Sequence, residues 1–317
     1  MTLHSEIIVD ASCDFPRTFL EEHGIKSIPT LNQVGENLDI DTGDIKLTHN
    51  YYQATHKDKI RPLRTYGKAE QDIVWQTIDR IIRTKSSHLT ILTSSELFST
   101  MHLLIRDITF KERNHIADLR KQSGFDSPLK IKVIDSNCIL SGYGLVVYEA
   151  IRVSTEKALP AEQLPNVIAK VSNRVDTYLS ISSADAFEYL CEKHGLAGKS
   201  QQKFSWLQLK RFQMTGQCVN TVLSQKKFHD ASLHNDRATG NRQLFAEILA
   251  GIKTGHFLPR INVSISANRS EIRTHLALNQ FISDAQNAGA KVTVNMMSIS
   301  GLALVGRNAI AVSAVKA

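Results

Sequence analysis

The chain has 317 residues, 42% hydrophobic, 22% charged and 7% aromatic, which suits about two domains and a core that needs neither metal nor disulfide. Seven prolines and 16 glycines are too few for a disordered protein, and no apolar run approaches the ~18–20 residues needed to span a bilayer. Lys and Arg exceed Asp and Glu by 38 to 31, but the excess is dispersed and no aromatic residues alternate with it, which argues against nucleic acid. The opening MTLHSEIIVD has neither a basic nor an apolar targeting region. Cys13, Cys138, Cys191 and Cys218 form no CxxC pair. The expectation is a cytoplasmic protein with reduced thiols and no metal.

The first half alternates strand and helix patterns. Ser5–Val9 and Ile25–Pro29 read as strands on either side of a helix at Pro16–His23, which Gly24 closes. Leu47–His56 and Ala69–Arg83 read as amphipathic helices, and Leu89–Leu92 as a buried strand followed by a helix from about Ser99. Lys111–Ser127 is polar and reads as an extension of that helix before a loop. Ile131–Asp135 is the next strand and Leu140–Ser154 the next helix. Units of this kind predict a parallel sheet covered on both faces.

Two prolines in Lys157–Pro165 mark the expected boundary between an N-terminal parallel α/β/α domain (1–158) and a C-terminal mixed-sheet α/β domain (159–317). The second half reads as helix Ala161–Val171, strand Asp176–Ile181 and helix Ala184–Lys193. A hairpin is expected over Lys210–Ser224, turning at Thr215-Gly216. Helix Arg242–Thr254, strand Arg260–Ile265, helix Ser270–Ala288 and strands Lys291–Met296 and Asn308–Ala314 complete the pattern.

Several apparent motifs fail. Gly198-Lys199-Ser200 lacks the earlier glycine of a phosphate loop, because Lys193 stands there. Gly301–Gly306 is followed by Arg307-Asn308, and Gly142-Tyr143-Gly144 has Val147 where a dinucleotide fingerprint needs a small residue. The twelve histidines show no HExxH or HxH spacing, and no serine sits in GxSxG.

What remains is a set of hydroxyl residues where strands hand over to helices: Asp10-Ala11-Ser12-Cys13-Asp14, Thr93-Ser94-Ser95 and Asp135-Ser136-Asn137. Such loops gather at the carboxyl ends of parallel strands, where ligands bind. Their hydroxyls and free N–H groups suit a carboxylate or phosphate. From spacing alone Ser95, Ser99 and Ser136 fit better as simple helix caps, worth ~1 kcal/mol each, than as ligand contacts.

At these residues the chain resembles the DegV family of bacterial lipid-binding proteins. The family's D-S-T-x-D-L-P turn matches Asp10-Ala-Ser-Cys-Asp14-Phe-Pro16, and Arg61-Pro62-Leu-Arg-Thr65-Tyr66-Gly67-Lys68 occupies the place of its T-S-Q-P segment. Its S-S-x-L-S-G-T turn is similar to Ser94-Ser95-Glu96-Leu97-Phe98-Ser99-Thr100, and its V-x-V-I-D-S strand to Lys132–Ser136 with Gly142-Tyr-Gly144-Leu145 behind it. The likeness is specific over residues 6–150 and loose beyond 185.

The resemblance implies a two-domain, non-catalytic protein that encloses a long-chain fatty acid as its ligand, with no other cofactor. The carboxylate would meet Thr65, Ser94 and Ser95, and the acyl chain would lie in an interdomain tunnel. It further implies a separate ATP-dependent kinase subunit to which the carboxylate is presented, with Arg237 and Arg242, in the best-kept K-V-R-x-x-x-R-A helix start, as partner contacts. Leu304 stands where the family has its head-group histidine, and Gly195-Leu-Ala-Gly198 replaces G-R-I-S without the arginine. The competing readings are a divergent member that binds another amphiphile or a small anion, and an interaction module without ligand. A cytosolic enzyme using Thr65, Ser95 and Asp10 is disfavoured, because no base–nucleophile pair is visible.

Overall fold

A computed structural model of the chain describes residues 5–54, 60–63, 65–194, 212 and 216–317. The N-terminal half is built on a parallel sheet with strand order β2-β1-β6-β7, formed by β1 (Ser5–Asp10), β2 (Lys26–Ile28), β6 (His88–Thr93) and β7 (Lys130–Asp135). Every residue of β6 is buried, as expected of a central strand covered on both faces. Helices α1 (Arg17–Glu22), α3 (Lys68–Ile82), α4 (Met101–Lys111), α5 (Arg113–Gln122) and α6 (Leu140–Glu156) pack around it. α3 turns Val74, Ile78, Ile81 and Ile82 inward at helical spacing onto Ile8, Leu89 and Ile91. The polar stretch after α4 is a helix of its own, α5, rather than an extension. Its buried Arg120 donates to the carbonyls of Ile82, Thr84 and Ser127.

A third, three-stranded sheet is not expected from the sequence. β3 (Thr30–Val34) lies between β4 (Asn37–Asp41) and β5 (Ile60–Pro62), both antiparallel to it. The β3–β4 hairpin turns at Gly35-Glu36, where Gly35 takes φ +60°. α2 (Ile45–Gln53) follows, with its first N–H groups capped by Asp44.

The C-terminal half is a six-stranded mixed sheet, order β10-β9-β8-β13-β11-β12, comprising β8 (Val175–Ile181), β9 (Cys218–Ser224), β10 (Lys227–His234), β11 (Phe257–Ile265), β12 (Lys291–Met296) and β13 (Ile310–Lys316). Among the described residues, β11 and β12 are the one pair of hydrogen-bonded neighbours in this sheet that run parallel. The first arm and turn of the hairpin expected over Lys210–Ser224 include residues 210–211 and 213–215, which lie outside the described residues. β9 pairs with β10, and the chain turns at Gln225-Lys226, both with positive φ. Around the sheet are α7 (Leu164–Ser172), α8 (Ala184–His194), α9 (Arg237–Lys253), α10 (Arg269–Thr274), α11 (Leu276–Asn287) and α12 (Ile299–Val305). The single helix expected over Ser270–Ala288 is two, α10 and α11, broken at His275, whose side chain caps α11. The glycine-flanked stretch near Leu302 contains α12, which the sequence reading did not assign. Residues 195–198 lie outside the described residues.

α6 joins the two halves. Its N-terminal turns press on β8, β11 and β13 through Gly142 and Gly144, where a Cβ would stand 2.1 Å from Thr177 Oγ1 and 2.3 Å from the Asp14 carbonyl oxygen. Beside this contact the buried Asn262 on β11 uses its whole amide. Nδ2 donates to the Asp14 and Ser141 carbonyls, and Oδ1 accepts from Thr293 and Asn295. The Asp14 and Ser141 bonds tie the C-terminal sheet to the N-terminal half.

Candidate functional site

β1 ends at Asp10, which is fully buried. Its carboxylate binds two turns at once. Oδ1 accepts from the Ser12 N–H and hydroxyl, and Oδ2 accepts from the Ser94 N–H at 2.7 Å and the Ser94 hydroxyl at 3.3 Å. Burial raises the Asp10 pKa and these donors pull it back. The Tyr143 hydroxyl of α6 accepts from Asp10 N–H and donates to the Leu92 carbonyl, fixing the ends of β1 and β6 side by side. Ser95 N–H donates to the Cys138 carbonyl, which anchors the same turn to the loop after β7.

The N-terminus of α12 enters this region from the C-terminal half. Ser298 N–H donates to Asp14 Oδ1 at 2.8 Å, and Ser300 N–H and hydroxyl donate to Asp41 Oδ2 at 2.8 and 2.9 Å. Two buried carboxylates of the N-terminal half therefore satisfy the free N–H groups of a helix from the other half, where the dipole favours negative charge. Ser300 Oγ also meets Thr30 Oγ1 at 2.6 Å and accepts from Asn32 Nδ2 at 3.1 Å. These contacts seat the small β3 sheet on α12.

Together the turns enclose an interdomain cavity of about 60 Å³. Ser12, Thr30, Asn32, Ser94, Ser99, Thr100 and Ser300 supply its polar lining, with the Glu70 carboxylate. Phe98, Ile139, Leu140 and Leu304 line its apolar side. All four belong to a larger buried cluster that runs to Leu179, Phe187, Val219, Leu223 and Phe228 against the mixed sheet. The β9–β10 hairpin tip closes over the turn: Lys226 Nζ pairs with Glu96 at 3.0 Å and Asp135 at 2.6 Å, and Phe228 meets Phe98 edge-on at 5.6 Å.

The residues expected at the site from sequence separate here. Ser94 lines the cavity. Ser95 is fully buried, its hydroxyl has no hydrogen-bond partner, and it is not among the described lining residues. Thr65 is exposed and also not among them. Leu304, at the position of the family histidine, does line the cavity. Arg307 donates to the Tyr52 and Ala54 carbonyls at the end of α2. Arg237 and Arg242 are exposed in the first turns of α9. Thr30, Asn32, Asp41 and Ser300 went unnoticed in the sequence, although Val34-Gly35-Glu36-Asn37 between two β-prone runs is a hairpin signal.

A model of the DegV family, described as an uncharacterised protein family, matches residues 4–189. The chain belongs to the DegV family. A DegV domain-containing protein of Xanthomonas axonopodis pv. citri is 22% identical over 318 residues, covering 96% of this chain and 95% of that protein. Among solved structures, a stearic acid-binding protein from Eubacterium ventriosum superposes with TM-score 0.73 at 14% identity, covering 99% of this chain and 98% of that one. DegV, a fatty acid binding protein from Bacillus subtilis, superposes with TM-score 0.72 at 12% identity, covering 99% and 100%. The DegV fold expected from the sequence, a parallel N-terminal sheet and a mixed C-terminal one, is the observed fold. Among the described residues no helix is long and apolar enough to cross a membrane.

Asp14 gives this DegV interface a pH dependence. Burial pushes its carboxyl up to about 7, against the lowering effect of its hydrogen bond from Ser298 N–H. Unfolded, the group titrates near ~4. The folded chain therefore binds the extra proton between pH about 4 and 7; stability falls as pH rises through that window and is level above it. Asp14→Asn keeps an oxygen for Ser298 N–H and removes the charge. Its melting temperature relative to wild type should rise from pH 5 to pH 8. The same difference at both pH values would contradict this assignment.

Proposed function

We propose that this DegV protein binds a long-chain fatty acid between its two domains. The observation that carries the reading is the interdomain cavity, hydroxyl-lined on one wall and continuous through Phe98, Leu140 and Leu304 with the apolar cluster of the C-terminal half. Solved relatives described as binding stearic acid or fatty acids support it. The carboxylate lies against Ser94 and Ser99, and the acyl chain takes its room in the cluster. Each buried methylene contributes ~0.8 kcal/mol, which outweighs a head-group site of a few hydroxyls. Ser94 Oγ sits 3.3 Å from Asp10, a long bond that it can exchange for a ligand oxygen while its N–H keeps the turn in place.

The chain acts as a carrier, and presentation of the carboxylate to a separate ATP-dependent kinase subunit is the finer part of the proposal. Arg237 and Arg242, exposed on α9, are the proposed partner contacts. Glu70 and Leu304 in the lining favour a second reading, an amphiphile with an uncharged polar head. Leucine supplies neither the charge nor the donor of a histidine, and a carboxylate neighbour repels an anion.

Ser94→Ala should weaken fatty-acid affinity by about 10- to 100-fold, the ~1.5–3 kcal/mol of a hydrogen bond to a charged group. Ser95→Ala should leave it within a few-fold. Wild-type affinity should be flat between about pH 5.5 and 8, and Leu304→His should introduce a step near ~6.5. Titrations of delipidated protein with stearate check all three. Unchanged affinity in Ser94→Ala would remove the carboxylate from this turn, and tighter binding of a fatty alcohol than of stearate would favour the second reading.

A further inference from the structure

A second interdomain cleft, of about 330 Å³, shares no lining residue with the head-group cavity. It lies where β1, β2 and β12 end, bounded by the first turn of α1, the start of α2 and the face of α10. The carboxyl ends of parallel strands are the usual ligand position in α/β sheets, and β11–β12 is the one parallel pair of the mixed sheet. Three arginines line the cleft: Arg17 from the N-terminal half, and Arg269 and Arg273 from the C-terminal half.

Two of the three have no paired counter-charge among the described residues. Arg269 and Arg273 stand four residues apart on α10, a like-charge spacing that destabilises a helix. Among the described residues neither forms an ion pair, and both are exposed. Arg17 has a bond from Nε to Glu21 at 3.2 Å, while its Nη1 lies 3.6 Å from where a Cβ on Gly43 would stand. Asp10 and Asp14 are the buried acids of the lining; the Asp10 carboxylate is turned to Ser12 and Ser94, and Asp14 Oδ2 makes no hydrogen bond. The remaining walls include the apolar side chains of Phe15, Ile45, Ile272 and Met296.

We infer that this cleft is a second ligand site, which takes a phosphate monoester with a small apolar body. Guanidinium groups from both domains grip the phosphate, and the apolar walls take the organic part. Planar guanidinium donors suit the paired oxygens of a phosphate better than any other side chain. The volume exceeds what inorganic phosphate fills, which leaves room for an organic body.

The test is a calorimetric titration of the full chain with phenyl phosphate and with inorganic phosphate, repeated on an Arg269→Gln/Arg273→Gln double variant and on Ser94→Ala. Saturable phenyl phosphate binding is expected, at least 10-fold tighter than inorganic phosphate. It should be weakened at least 10-fold in the double variant and unchanged in Ser94→Ala. Stearate binding should be unchanged in the double variant, so loss of the fatty-acid reading would leave this result standing. Equal binding of phenyl phosphate by wild type and the double variant, no saturation at millimolar concentrations, or no preference over inorganic phosphate would each overturn the inference.

Discussion

Gly144→Ala should destabilise the protein by about 3 kcal/mol or more, at the upper end of what overpacking costs. The added Cβ would stand 2.3 Å from the carbonyl oxygen of Asp14, 2.8 Å from its carbonyl carbon and 2.9 Å from Asn262 Nδ2. Two of those atoms are backbone and cannot rotate away, and the third belongs to an amide whose four hydrogen bonds fix it. Relief requires α6 to move off the mixed sheet. Gly124→Ala is the control for backbone strain alone, since Gly124 has φ +82° and nothing within 4 Å of an added Cβ. Denaturant midpoints of the two variants decide the matter. A Gly144→Ala midpoint no lower than that of Gly124→Ala would show that α6 does not set the interdomain distance.

Asp10→Ala should cost about 2–4 kcal/mol and abolish lipid binding together with it. Removing the carboxylate leaves the buried N–H of Ser94 and the half-buried N–H of Ser12 without their acceptor, and an orphaned buried group costs ~1–3 kcal/mol. Part of that is recovered because the desolvation that raises the Asp10 pKa disappears. The loss of binding follows from geometry, since Ser94 owes its position on the cavity wall to Asp10 Oδ2. Asp10→Asn separates the two effects. It retains one acceptor oxygen but points an NH₂ at N–H donors, so it should hold the fold better than alanine while still displacing one turn. Chemical denaturation and stearate titration on the same samples measure both quantities; wild-type binding in Asp10→Ala would uncouple the turn from the site.

The N-terminal sheet was legible because its cues are local. Leu89–Leu92 is a short, mostly apolar run with β-prone residues, and hydroxyl turns directly follow β1, β6 and β7. The C-terminal half gave weaker cues for identifiable reasons. The β9–β10 turn places Gln225 and Lys226 at positive φ, where the usual signal is Asn-Gly; Lys226 is held there by Glu96 and Asp135 across the interface. No pairwise spacing in the sequence announces such a contact. α12 is only seven residues long, and its N-terminal N–H groups are satisfied by Asp14 and Asp41, more than 250 residues away. Its local N-cap, Ser298 accepting from Gly301 N–H, is a weak cue for so short a helix, and the distant carboxylates are invisible to a reading based on neighbours. The same limit explains the site. Ser94 was found because it follows a strand, whereas Thr30, Asn32 and Ser300 meet only through the fold. Gly142-Tyr143-Gly144, dismissed as a nucleotide fingerprint, proves to be the place where two domains touch backbone to helix.

The central claim is that the interdomain cavity and the cluster behind it hold a fatty acid. The most direct measurement is organic extraction of the freshly purified chain followed by mass spectrometry, with Ser94→Ala extracted in parallel. One long-chain fatty acid per protein molecule is expected from wild type, and a reduced yield from the variant. Wild-type protein that releases no lipid, and whose melting temperature does not move with excess stearate, would contradict the account, because ligand at ~100 times Kd stabilises by ~2.7 kcal/mol.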